Sequence, residues 1–128
     1  MVKSRAAEGA PKSRTADSRA LALAVAAEMR AHSRRTWTLV QFSDADWTHG
    51  YCRGDRLRAW SASGKSLRSI KPPRLLAVPC AQFCVRGDRV LVERSVAEKS
   101  GVGLVYEIRK RGGLPVLDAA PDGARWKT

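Results

Sequence analysis

The sequence predicts a mainly β domain, a small barrel or two-sheet fold, with one N-terminal α-helix and a flexible basic N-terminal arm. Three observations lead there. Six short runs of β-branched, aromatic and aliphatic residues lie between positions 36 and 117, separated by Gly, Pro, Asp and Ser. One stretch alone, 17–35, has helical rather than alternating periodicity. The phrase Arg-Gly-Asp-Arg also occurs twice, as Arg53-Gly54-Asp55-Arg56 and as Arg86-Gly87-Asp88-Arg89. Each copy follows a cysteine closely and opens an apolar run, as two equivalent turns of a pseudo-repeated β domain would.

Residues 1–16 carry Lys3, Arg5, Lys12 and Arg14 among Ala, Ser, Gly and Pro. So little apolar surface cannot offset the entropy of ordering, and a disordered basic arm is expected. A helix is expected from Asp17 or Ser18, both good caps, to about His32, and its basic end extends the segment to residue 35. Leu21, Val25 and Met29 recur every four residues as a narrow apolar stripe. That stripe either seats the helix on the domain or docks a protein partner or a second copy. Arg30, Arg34 and Arg35 suit the negative end of the helix dipole.

The β domain is expected over 36–120. Thr36–Phe42 reads as a strand and Ser43–Trp47 as a capped single helical turn. Leu57–Ser61 and Leu67–Ile70 flank a loop containing Gly64, and Lys71-Pro72-Pro73-Arg74 must break pairing. Leu75–Val78 is a short apolar run closed by Pro79. Val90–Arg94 and Gly103–Arg109 pair naturally across a polar turn, and Lys110–Gly113 turns the chain into Leu114–Leu117. Residues 121–128 read as a loose tail.

At 128 residues the chain has room for one domain with a modest core. Its net charge of +12 favours a polyanionic partner, above all nucleic acid. No run approaches the roughly 18 apolar residues of a membrane span, so no membrane partner is expected. Three cysteines without a convincing secretion signal fit a reducing, cytoplasmic setting better than a disulfide framework. The Arg- and Ser-rich start leaves an organelle address open.

His49-x-x-Cys52 and Cys80-x-x-x-Cys84 offer four donors in two close pairs, which is how ribbon-like zinc modules present their ligands. The extra residue in the second pair mismatches that pattern and favours plain burial of the thiols. A zinc-deaminase pattern fails because Tyr51 stands where the catalytic Glu belongs. Ala59 to Ser66 resembles a relaxed phosphate-binding loop without its strand and helix, so Gly64-Lys65-Ser66 is simply a hairpin tip. No catalytic constellation can be assigned, and a non-enzymatic protein is expected.

Seven cations, Arg53, Arg56, Arg58, Lys65, Arg68, Lys71 and Arg74, fall within 53–74 against Asp55 alone. Strand alternation would put Arg56, Arg58 and Trp60 on one face, so that Arg holds phosphates while Trp stacks a base. Arg109, Lys110 and Arg111 form a second group, and Arg34 and Arg35 extend the surface. The expected function is therefore DNA or RNA binding. The alternatives are a small regulator, inhibitor or assembly subunit docking through the helix stripe, and a zinc-ribbon-like structural module.

Overall fold

The computed structural model describes residues 18–127; the expected basic arm lies outside them. A helix, α1 (18–30), is followed by seven strands: β1 (Trp37–Asp46), β2 (Tyr51–Ser63), β3 (Ser66–Ile70), β4 (Cys80–Arg86), β5 (Arg89–Ala97), β6 (Ser100–Arg111) and β7 (Leu114–Lys127). They form a single sheet in the order β3-β2-β1-β4-β5-β6-β7. The mainly β architecture with one N-terminal helix is thus as the sequence predicts. The sheet is not closed into a barrel, because β3 and β7 are edges.

The sheet joins two antiparallel meanders, β1-β2-β3 and β4-β5-β6-β7, through the parallel pair β1 and β4. Parallel neighbours need a crossover. Here residues 71–79 supply it, passing β2 and β1 to reach β4. Pro72, Pro73 and Pro79 suit this stretch because they cannot donate to a ladder. The apolar run Leu75–Val78 belongs to this connection and leaves Leu75 89% exposed.

Helix α1 covers one face of the sheet. Leu21, Val25 and Met29 are 7%, 0% and 0% exposed, and they pack with Ala22 and Ala26 against Trp37, Leu39, Trp60, Leu67, Phe83, Val90 and Val92. The stripe is therefore the core face of the helix, which removes it as a docking surface for a partner or second copy. The helix closes through bonds from the amides of Ala31 and His32 to the carbonyls of Glu28 and Met29. Its regular part is shorter than the expected 17–35.

The opposite face is covered by the sheet itself. β1 leaves β4 after the Gln41–Phe83 pair, where the β1–β2 register shifts on either side of Phe42. Bulges of this kind bend a strand and sharpen its twist. Beyond the bend, the outer half of the β1–β2 hairpin folds over β4 and β5, burying Ala45, Cys84, Leu91 and Val105 beside Phe42, Trp47 and Cys52. Trp126 secures the tip: its indole Nε1 donates to the Gly50 carbonyl at 2.7 Å, and its ring stacks on Tyr51 at 5.5 Å. The ring lies over Gly101 and Gly103, which have no Cβ to obstruct it.

Four local expectations are corrected. Ser43–Trp47 is not a helical turn: β1 continues to Asp46, whose carboxylate accepts the amide of His49 at the following turn. Cys80–Arg86 is a strand, so there are seven rather than six. Residues 121–127 are no tail but the far half of β7, paired to β6 through Trp126 and Lys127. The two Arg-Gly-Asp-Arg copies are also not equivalent turns. Gly87 and Asp88 turn β4 into β5, whereas Gly54 sits inside β2 with φ +90°, its neighbour Asp55 donating its amide to Ser43 Oγ.

A Cβ at Gly103 would overlap the Trp126 indole. Gly103→Ala is expected to lower unfolding free energy by about 1–3 kcal/mol, the usual cost of overpacking, and to change tryptophan emission. Gly87 has open space around it and φ +61°, so Gly87→Ala should cost only the left-handed backbone, about 1–2 kcal/mol, with unchanged emission. Urea unfolding followed by fluorescence compares the two.

Candidate functional site

The four residues expected as metal ligands are not brought together. Cys80 and Cys84 lie four residues apart along one strand, about 13 Å at the usual rise. His49 is exposed at the hairpin tip, its Nδ1 bonded to Asp46 at 2.9 Å. Only Cys52 and Cys84 meet, with Sγ atoms 2.9 Å apart under the folded-over hairpin. Among the described residues no three His, Cys, Asp or Glu side chains form a metal-binding group.

The thiol pair has an unforeseen neighbour, Glu93 on β5. Its Oε2 accepts the amide of Cys52 at 2.9 Å. Burial pushes the Glu93 carboxyl above the usual carboxylate range, and the bonds from Cys52 offset this in part. The bond to Cys84, then burial and the nearby negative charges, raise the Cys52 thiol strongly. Burial first and Glu93 second raise Cys80. Cys84 is buried, and Cys52 packs with it, Leu91 and Val105 under the hairpin.

Trp60 does not stack bases. It is 3% exposed, packed in the core beneath α1 and stacked on Phe83 at 6.0 Å. The bulge also separates the two arginines expected beside it. Arg58 stands opposite Gln41, whereas Arg56 stands opposite Phe42, with its guanidinium 5.9 Å from that ring. Arg56 therefore leaves the face that Arg58 and Trp60 share in unbroken register, and on that face Trp60 is covered by α1.

The remaining cations divide by their surroundings. Arg109 is held by Glu107 at 2.9 Å and Asp118 at 2.7 Å, and Arg53 lies 4.0 Å from Asp44. Lys110 and Arg111 are exposed at the end of β6 beside that compensated arginine. Lys65, Arg68, Lys71 and Arg74 are exposed along the β3 edge and the connection after it. Two helix residues join them: Arg30, expected to extend the basic surface, and Arg19, which the sequence did not single out. Arg19 donates to the Leu67 carbonyl at 3.1 Å, and Arg30 to the Gly64 carbonyl at 2.7 Å. Eleven residues are three helical turns, so this spacing does place both on one flank of α1. Arg56 likewise donates to the Arg74 carbonyl. Arg34 and Arg35 are exposed where α1 ends, Arg35 bonding the Val96 carbonyl at 2.6 Å.

No family model, curated protein or solved structure matches the chain. No helix among the described residues is long and apolar enough to cross a membrane.

Two outcomes follow from the buried groups. Trp60→Ala is expected to cost about 3–5 kcal/mol of unfolding free energy, as large-to-small core changes do. Glu93 has its pKa raised on folding, so its contribution to stability is fully present below the unfolded pKa and is lost as pH rises through the folded one. Glu93→Gln keeps an acceptor for Cys52 without the charge. Urea unfolding across about pH 4–8 should show less loss of stability with rising pH in Glu93→Gln than in the parent. Glu93→Ala, which leaves the amide unmet, should cost about 1–3 kcal/mol.

Proposed function

We propose that the protein binds nucleic acid through its phosphate backbone, along the flank formed by α1 and the β2–β3 hairpin. The observation that carries this reading is the meeting of sequence-distant cations there. Arg19 and Arg30 come from the helix, Lys65 and Arg68 from the hairpin, and Lys71, Arg74 and Arg56 lie beyond. The guanidinium bonds of Arg19, Arg30 and Arg56 go to neutral main-chain carbonyls. Their charge is thus oriented without being cancelled, unlike that of Arg109. Such a row suits an evenly spaced polyanion, whose condensed counterions are released on contact.

With Trp60 in the core, base stacking drops out of the proposal. The contacts that remain are to phosphates, which position a strand without reading its sequence. Binding is therefore expected to be steeply salt-dependent and nearly indifferent to sequence.

Fluorescence anisotropy with a labelled oligonucleotide over a salt series tests this. Neutralising Arg30, Lys65 or Arg68 to Gln should each reduce the slope of log affinity against log salt by about one where that side chain contacts a phosphate. Arg109→Gln should leave the slope unchanged. Absence of binding at low salt, or a slope untouched when all three flank residues are neutralised together, would rule the reading out.

A further inference from the structure

A separate cleft of about 230 Å³ opens at the C-terminal end of α1, between the β5–β6 turn and the end of β7. Its wall brings together His32, Arg94 and Lys127, with Ser100 and Gly101 beside them. We propose that this cleft seats a phosphate monoester, gripped by Arg94, Lys127 and His32.

Four features bear on that ligand class. The cationic groups come from three distant parts of the chain, so their convergence is a product of the fold rather than of a basic run. Arg94 is half-buried and oriented: its Nη1 donates to the Tyr106 hydroxyl at 3.4 Å, and that hydroxyl lies 3.5 Å from Glu28 Oε2. A guanidinium fixed in this way loses less freedom when it meets an oxyanion. The nearby carboxylate, Glu28, is shared between Tyr106 and His32, the latter at 3.9 Å. The cleft could hold roughly seven waters at ~30 Å³ each, so a phosphate and the start of its substituent fit.

His32 reports on occupancy. Burial first, then Arg94, lower its pKa, while Glu28 opposes them. Among the described residues, Lys127 from β7, the neutral Tyr106 hydroxyl and Arg35, which is bonded to the carbonyl of cleft-lining Val96, also belong to this surrounding. A phosphate dianion between His32 and Arg94 reverses the sign of the local field and raises the imidazole pKa. The only other histidine, His49, sits at the hairpin tip bonded to Asp46, and serves as an internal reference.

The inference goes beyond strand binding, since the cleft needs only a phosphate. That phosphate could belong to a small monoester or to the end of a nucleic-acid strand. The test follows both imidazoles by NMR as inorganic phosphate is added at constant ionic strength, with chloride as the control. His32 should shift saturably and its pKa rise, while His49 stays fixed. Lys127→Gln, an exposed change, should weaken binding about tenfold, as loss of one charge-assisted contact does. Arg94→Gln should do at least as much. No saturable response at His32, or a response unaltered in both variants, overturns the proposal. A 5′-phosphorylated oligonucleotide moving His32 at lower concentration than its 5′-hydroxyl counterpart identifies a strand end. A response to inorganic phosphate but to neither oligonucleotide identifies a small monoester. Salt-dependent oligonucleotide binding with a silent His32 leaves the flank standing and removes the cleft.

Discussion

A sheet this small has two faces to keep dry and, among the described residues, one helix to do it. α1 covers one face with Leu21, Val25 and Met29. The other would expose Cys84, Leu91 and Val105 were it not for the bend at Phe42, which folds the β1–β2 hairpin back over its own sheet. The rest of the structure depends on that bend. It lets one continuous sheet serve as two layers where the sequence suggested a barrel or two sheets, and it carries Cys52 to Glu93 and Gly50 to Trp126. The fastening is local and directional: one indole N–H, one stacked tyrosine and two glycines that leave room for the ring. Such a clamp tolerates little change in side-chain size.

The bend also explains where the sequence could be read and where it could not. Strands with regular alternation and flanking turn residues, such as Val90–Arg94 and Gly103–Arg109, were legible because one periodicity held throughout. Ser43–Trp47 misled because Ser, Asp and Asp have the composition of a cap, whereas Ser43 serves the β2 bulge and Asp46 the next turn. Cys80–Arg86 contains polar Gln82 and two cysteines, so its burial on both faces left no clear pattern. The tail hid a strand because Pro121 and Gly123 look like loop residues until Trp126 is given its glycine-lined seat. Of the candidate site, the basic band at 53–74 was visible, since charge needs no fold to be counted. The fate of Trp60 was not, because alternation places a side chain on a face without saying that a helix will cover it.

The cations show how a fold sorts a composition. A charge of +12 spread evenly would say little about any one place. Here Arg109 is matched with two carboxylates on β6 and β7, whereas Arg19 and Arg30 are braced against carbonyl oxygens beside β3. The first arrangement cancels charge and the second displays it. Glu93 is the opposite case, a carboxylate withdrawn under the hairpin where its useful act is to accept one amide.

The β3 strand, at one open edge of the sheet, has a further consequence. Unpaired edge strands invite another chain to add on, and a short apolar edge would be an assembly hazard. β3 is only five residues long, with Arg68 in the middle, Lys65 and Lys71 at its ends and Pro72-Pro73 close behind. Two copies approaching there bring like charges together before any main-chain bond can form. The same residues that would welcome a polyanion thus keep the protein from polymerising through its own margin.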